Sequence, residues 1–384
     1  MTQWSYCMKK ILIDGLSLSE KNPAGVSNYT YQLITHIANS NLEFKLDVVY
    51  QPPMNKDFEK DLTTLQEQKK LNLSAISFKY LWTQLGLAGK TFLSFPSILL
   101  STRHTLPIIS NPLTKKVLTV HDVGFEKYHS TEDAKLNKKS LEKAVKIADK
   151  IIAVSQYTKD RLIELLKVKA DKITVIHEGV DFKLFNDAKN DTQKIDEVKV
   201  KYNLKNYILF VGTVQPRKNL KNQFCAFAKF NLEASQIEDI DFVVAGANGW
   251  QYEDILAEPE VLNIKDNIKF LGRVDDKDLP YLTAGAKILS YVSFEEGFGL
   301  PVLNAFAARV PVITSNSSAL KEIAGEAALL VSPENIDQIE DAYRTMYFNQ
   351  ILQADLIDKG LKRARMFSWE KTAKETLDLF KLLV

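Results

Sequence analysis

Tyr291-Val-Ser-Phe-Glu-Glu-Gly-Phe-Gly-Leu-Pro-Val-Leu-Asn-Ala-Phe-Ala-Ala-Arg-Val-Pro-Val-Ile-Thr314 is the stretch whose reading decides the fold. Its first part completes Lys287 to Val292, a short apolar run opened by a charge, which is the pattern of a buried strand. Glu295-Glu296-Gly297-Phe298-Gly299 then makes a turn, and Leu300-Pro301 opens an apolar helical pattern. A proline in the first helical turn loses no hydrogen bond. Val310 to Thr314 reads as the next buried strand, so the whole is a βαβ unit. Its turn lies where a strand's carboxyl end meets a helix N-terminus. Unpaired backbone N–H groups and the positive end of the helix dipole make an anion the expected guest. Glu296 adds a carboxylate able to accept hydrogen bonds from hydroxyl groups. Phosphate and polyol on one turn point to a nucleotide sugar.

Working outward, strands alternate with helices on both sides of this unit. Upstream of it, Tyr207 to Val211 and Phe242 to Ala245 read as strands. The first ends in Gly212-Thr-Val-Gln-Pro-Arg-Lys-Asn219. In the first half, Lys10 to Asp14, Leu46 to Tyr50, Lys116 to Val120, Lys150 to Val154 and Lys172 to Ile176 read as strands. Asn28 to Ala38 carries helical periodicity. Thr91 to Leu100 is apolar, too short to span a membrane, and reads as a buried strand with its loop. Residues 182–206 turn polar and read as a linker. The expected organisation is α/β, with two Rossmann-like doubly wound domains facing a cleft. Residues 1–181 would form the first domain, with 1–7 an extension ahead of it, and 207–366 the second. The last stretch, 367–384, would be a helix packing back on the first domain.

Composition sets bounds on this picture. A chain of 384 residues suits two cores better than one. Hydrophobic content of 45% and charged content of 26% are ordinary for a globular enzyme, and a net charge of +2 asks for no nucleic acid. Cys7 and Cys225 supply neither a disulfide framework nor metal-ligand spacing. Met1 to Cys7 lacks the basic-then-apolar layout of a secretory leader, so the expected setting is cytoplasmic.

Three groups of residues could carry chemistry. Arg217 and Lys218 stand between a strand's carboxyl end and a helix start, where two cations would neutralise a diphosphate; the plain alternative is two solvated surface charges. His121-Asp122 ends another strand, at the edge where open α/β sheets bind ligands, although a loop histidine satisfied by backbone would look the same. Gly25, just ahead of a helix, permits close approach of a ligand to the backbone. Two D-x-D strings, Asp239-Ile-Asp241 and Asp276-Lys-Asp278, read as solvated or capping acids rather than a cation site. G-x-S-x-G, G-x-G-x-x-G and Walker A patterns are absent from the sequence.

Taken together, the motifs resemble the retaining glycosyltransferases of family 4, whose architecture is called GT-B. The resemblance runs from about Met8 to the carboxyl end. It rests on the Gly25 loop, Val120-His-Asp122, Ala148 to Ser155, Ile173 to Asp181, Phe210 to Asn219 and Glu296-Gly-Phe-Gly-Leu-Pro301. The His-Asp loop and the Pro-Arg-Lys-Asn form are similar to a bacterial branch rich in mannosyltransferases that build surface polysaccharides. By resemblance, Arg217 and Lys218 would hold the donor diphosphate, with Gly212 leaving room beside it. Glu296 would bind donor-sugar hydroxyls, helped by the backbone of Gly297, Phe298 and Gly299, and Leu300 would offer its N–H to a phosphate. His121 would lie near the donor sugar and Gly25 near the phosphates. Where the family motif carries a second glutamate, for ribose, this sequence has Asn304.

The implied activity is metal-independent, cofactor-free transfer of a hexosyl group with retention, from a nucleotide sugar to a glycan or lipid-linked glycan. GDP-mannose is the best match, with UDP- and ADP-sugars the alternatives. The acceptor implies work at the inner face of a membrane with peripheral contact; the apolar stretch Trp82 to Ile109, with Lys79, Lys90, Arg103 and His104 interspersed, would suit such a surface, although a buried strand with exposed basic residues is the plainer reading. A catalytically silent, sugar-nucleotide-binding member of a glycan-assembly complex is the competing reading, and Asn304 is what motivates it.

Overall fold

The computed structural model describes residues 9–23, 25–40, 43–78, 81–124 and 132–384. The expected extension 1–7 lies outside the described residues. The chain divides into two compact units, 1–178 with 369–384, and 179–368.

Unit 1 is built on β1 (Lys10–Asp14), β2 (Lys45–Tyr50), β3 (Asn72–Ala75), β4 (Ile98–Ser101), β5 (Lys115–Val120), β6 (Lys150–Ala153) and β7 (Ile173–Val175). All pair in parallel, in the order β3-β2-β1-β4-β5-β6-β7. Unit 2 carries β8 (Asn206–Val211), β9 (Ile240–Ala245), β10 (Ile268–Gly272), β11 (Ile288–Tyr291), β12 (Val312–Ser315) and β13 (Leu329–Val331). These are also parallel, in the order β10-β9-β8-β11-β12-β13. The central strands read as unbroken apolar runs because helices cover both faces of a parallel sheet. Ile11, Leu12 and Ile13 are all buried, and so are Ile208, Leu209 and Phe210. The strand order reverses between β1 and β4, and again between β8 and β11. Such reversals open crevices at the carboxyl ends of the strands.

The helix Trp369–Lys381 belongs to unit 1. Trp369, Ala373, Leu377 and Phe380 share one face and join the core formed by Ile11, Ile13, Tyr29, Leu33 and Ile37. Truncating Phe380 to alanine there would cost about 3–5 kcal/mol.

Two stretches depart from the sequence reading. Residues 182–206 are folded rather than a linker. Asp181 caps the helix Phe182–Ala188, accepting from the Leu184 N–H at 3.0 Å, and Asp191 caps Thr192–Lys201 through the Lys194 N–H at 3.0 Å. Both helices pack within unit 2, against Leu279–Ala284. Few apolar residues are present, but Phe185 with Ala188 and Ile195 with Val198 are spaced three apart and buried together on single faces. Thr91 to Leu100 is not one strand with its loop. A π-helical turn, Trp82–Leu87, runs into the helix Ala88–Ser94, Phe95 ends it in the left-handed region (φ 46°), and β4 starts only at Ile98. A helix with apolar residues on both sides has no periodicity to distinguish it from a buried strand.

Candidate active site

In unit 2 the sequence-predicted cations and carboxylate converge at the β8–β11 reversal. The turn after β8 carries Arg217 and Lys218; the turn after β11 carries Glu296. A main-chain hydrogen bond ties the two turns, the Phe294 N–H donating to the Arg217 carbonyl at 3.0 Å. Asn219, in the left-handed region, fastens them further. Its side-chain amide donates to the Val292 carbonyl at 3.0 Å and the Pro333 carbonyl at 2.7 Å. Beneath Lys218, buried Gln223 donates to the Lys218 carbonyl (3.0 Å) and accepts from the Ser290 hydroxyl (2.7 Å). The cluster therefore sits on a hydrogen-bonded floor, not on mobile side chains.

Lys218 Nζ donates to Glu296 Oε1 at 2.5 Å and to the Tyr291 hydroxyl at 3.0 Å. Arg217 Nη2 stands 4.0 Å from Glu296 Oε2. Lys218 and Glu296 are each only 7% exposed. Burial by itself would raise the Glu296 carboxyl, but Lys218 and then Arg217 outweigh it and hold the group below its ordinary value. Two cations around one carboxylate leave the cluster net positive, which suits an anionic guest. Glu296 is also set by the backbone, since its carbonyl accepts from the Ala319 N–H at 3.3 Å.

Gly297, Phe298 and Gly299 lead from Glu296 into the helix Leu300–Ala307. Gly299 caps that helix at φ +124°, a conformation that side-chain-bearing residues avoid, and a Cβ there would lie 2.8 Å from Leu320. Phe298 is buried against Phe367, ring centroids 6.0 Å apart. One turn into the helix, Asn304 is half-buried, and its side-chain amide has no partner among the described residues. Glu295, the neighbouring acid in the turn, is also buried.

In unit 1, His121 follows β5. Its Nε2 lies 3.1 Å from the Thr102 carbonyl and its Nδ1 3.0 Å from Glu178 Oε1. A carbonyl can only accept, so Nε2 carries a hydrogen. Nδ1 then faces the Glu178 carboxylate, so both ring nitrogens are engaged and the ring's orientation is fixed. The His121 backbone N–H donates to His104 Nε2 at 3.4 Å. Burial lowers His104 to about 4, so its imidazole stays neutral and able to accept. Tyr29 meets the His121 ring edge-on at 4.7 Å. Gly25 opens the helix that carries Tyr29, and a Cβ on it would meet nothing within 4 Å. Packing does not explain that glycine.

Nearby, at the β1–β4 reversal, buried Asp14 accepts from the Leu16 N–H, the Trp82 indole and the Ser101 hydroxyl, and burial raises its carboxyl. Sequence reading assigned no role to Glu178, Tyr291, Asn219 or Asp14. Glu178 was within sight, inside the His-Glu-Gly-Val-Asp motif, but its contact with His121 spans 57 residues.

Three of the four D-x-D acids are paired with cations. Asp239 pairs with Lys205, Asp276 lies 3.7 Å from Arg273, and Asp278 accepts from Lys201 and Tyr202. Among the described residues, no group of three or more His, Cys, Asp or Glu is gathered as a metal site.

Comparison with known proteins fits this geometry. Residues 23–184 match the family model described as Glycosyltransferase Family 4, and residues 191–363 match Glycosyl transferases group 1. O-antigen chain mannosyltransferase B of Escherichia coli is 31% identical over 282 residues, 71% of each chain. O-antigen chain mannosyltransferase RfbU of Salmonella typhimurium is 30% identical over 258 residues, covering 63% of this chain and 65% of that one. Among solved structures, Anabaena HepE in complex with UDP and glucose superposes with a TM-score of 0.75 over 97% of this chain and 99% of that one. At 15% identity that likeness speaks for the fold, which is GT-B: two parallel-sheet α/β domains. The chain belongs to glycosyltransferase family 4, with a group 1 glycosyl transferase domain following its family 4 domain, and is a glycosyltransferase.

Proposed function

We propose that this enzyme transfers mannose from GDP-mannose, with retention of anomeric configuration, to a growing surface glycan carried on a lipid at the inner face of a membrane. The observation that carries the reading is the Arg217–Lys218–Glu296 cluster at the β8–β11 reversal. Arg217 and Lys218 neutralise the donor diphosphate and stabilise it as a leaving group, electrostatic work that asks for no metal. Glu296, kept ionised by the same cations, accepts hydrogen bonds from sugar hydroxyls. The backbone of Gly297, Phe298 and Gly299 helps Glu296 hold the sugar, the Leu300 N–H goes to a phosphate, Gly212 gives the diphosphate room, and the Asn304 amide takes the ribose. In unit 1 the reading assigns His121 to the donor sugar and Gly25 to the phosphates. Attack on the sugar face that the diphosphate leaves lets a phosphate oxygen take the acceptor's proton, so no dedicated base is needed. The choice of mannose is supported by the two O-antigen chain mannosyltransferases among the relatives.

Incubating the protein with GDP-mannose and with UDP- and ADP-sugars, and measuring released nucleoside diphosphate, tests the proposal. GDP release from GDP-mannose with an α-linked product is expected. Turnover with a UDP-sugar alone would reassign the donor, and none with any donor would sink the reading.

A further inference from the structure

Unit 2 holds a groove that the proposed chemistry does not use. It has a volume of about 530 Å³ and opens beside the first turns of the helices Leu220–Ala234 and Glu253–Val261. That is an ordinary size for a small-molecule site. Pro216, Leu220, Ile255 and Phe294 give it an apolar lining, and Asn222, Gln251, Glu253 and Asp254 a polar one. Asn222 is fixed by the Pro333 carbonyl, to which its amide donates at 3.1 Å. The side chains of Gln251, Glu253 and Asp254 have no partner among the described residues. Backbone sets the wall that carries them. The Val214 N–H donates to the Ala247 carbonyl and the Gly249 N–H to the Val214 carbonyl, both at 2.9 Å, which pins the turn after β9 to the turn after β8. The fit is close enough that a Cβ on Gly249 would lie 2.7 Å from Thr213. Gln251 is held in the left-handed region, φ 50°, a strained state that persists only where its surroundings impose it.

The lining says what fits. Lys221, the cation in it, is taken by Glu258 at 2.9 Å, so the two unpaired acids leave the groove net negative and repel a phosphate. Among the described residues no three His, Cys, Asp or Glu gather as a metal ion would require. A basic peptide would have no use for the amides. What suits the whole lining is a neutral guest with hydroxyl groups on its edges and an apolar side. Sugar hydroxyls donate to carboxylates and both donate to and accept from an amide, while the C–H face of a pyranose lies on apolar and aromatic side chains. The groove also adjoins the candidate active site. Pro216 precedes Arg217 in the chain, and the Phe294 N–H donates to the Arg217 carbonyl at 3.0 Å. We infer that this groove is a subsite for a neutral oligosaccharide, holding units of the acceptor glycan beyond the sugar that reacts. It rests on the glycan-acceptor part of the proposed function and gives that chain a place on unit 2.

Saturation-transfer NMR of the full chain with α-linked mannotrioses of each linkage, in the absence of donor, tests the inference. Saturation of the protons of at least one trisaccharide is expected. Gln251→Gly combined with Asp254→Ala removes two hydrogen-bonding side chains and should lower that affinity at least about tenfold. Glycine keeps the left-handed backbone at 251, both positions are exposed, and the melting temperature checks that the variant folds. Glu253→Gln, a milder change on the same lining, should weaken binding less. No saturation of any trisaccharide, or equal affinity in the double variant, overturns the inference. So does weaker GDP binding by the double variant in a thermal shift, which would give the groove to the base of the donor. Nucleoside diphosphate release from the donor separates the failures. Its absence with trisaccharide binding intact would break the proposed transfer and leave the glycan groove standing, whereas its presence with no trisaccharide bound would do the reverse.

Discussion

The two sheets both place functional side chains at the carboxyl ends of their strands, yet they hold them differently. In unit 2 the cluster is assembled from two short turns, 216–219 and 294–299, tied by the Phe294–Arg217 main-chain bond. Each side chain in it stands in a contiguous motif. In unit 1 the environment of His121 is collected from distant strands: Thr102 after β4, Glu178 after β7, and Tyr29 on the helix between β1 and β2. Unit 2 carries strong charge on a local frame, whereas unit 1 holds one ring through partners that sequence proximity cannot announce. Substitutions should therefore act on chemistry in unit 2 and on positioning in unit 1.

The sharpest way to break this comparison is Arg217→Ala. If the cluster holds the diphosphate, removing one cation of two should lower donor turnover at least about a hundredfold, with little change in melting temperature. Turnover near that of the unaltered enzyme would move the phosphate elsewhere. Glu178→Gln should have a smaller effect of a different kind. Glutamine can still meet His121 Nδ1 but removes the charge, so kcat should fall about tenfold while the fold holds. Glu178→Ala leaves a buried ring nitrogen unpaired and should add a stability loss of about 1–3 kcal/mol in denaturant unfolding. Equal stability for the two variants would show that Glu178 does not position the ring.

These differences also mark how far the sequence could be read. Parallel sheets announce themselves through buried apolar runs, so strands such as Lys10–Asp14 and Asn206–Val211 were plain. Glu296, Arg217 and Lys218 were legible because glycines, a helix start and charge stood in one window. β3 was missed because Asn72–Ala75 is an edge strand with no buried residue, and so carries neither an apolar run nor alternation. The helices at 182–201 were hidden by their polarity, and the helix after Trp82 by apolar residues on both sides. Glu178 and Asp14 show the deeper limit. Their roles exist only after strands far apart in sequence are paired in one sheet.

Asn304 sharpens the comparison from within unit 2. Its amide has no partner among the described residues, on a helix whose start belongs to the site, so a carboxylate there adds charge assistance without disturbing a bond seen among them. Asn304→Glu should tighten donor KM several-fold, about 1 kcal/mol, with kcat little changed. A variant that gained activity from none would instead mark the natural chain as catalytically silent.

The smallest effect separates the units by pH. His104 is depressed in the folded state, to about 4 from an ordinary 6.5, chiefly by burial. A depressed group contributes stability that is present above its unfolded value and lost as pH falls through the folded one. Unit 1 should therefore soften between about pH 6.5 and 4, as His104 takes a proton and ceases to accept from the His121 N–H. Asp14 works the other way: burial raises its carboxyl, so its contribution is full at low pH and declines as pH rises through the folded value. In unit 2, Glu296 is held below its ordinary 4.5, so its contribution is lost only on further acidification. Acid should thus reach unit 1 first. His104→Gln keeps an acceptor and cannot titrate, so comparing it with the unaltered chain isolates this one group from Asp14. The variant should retain more of its neutral-pH melting temperature at pH 5, read by thermal unfolding. Identical acid profiles for the two proteins would remove His104 from the account and leave the order of softening to other groups.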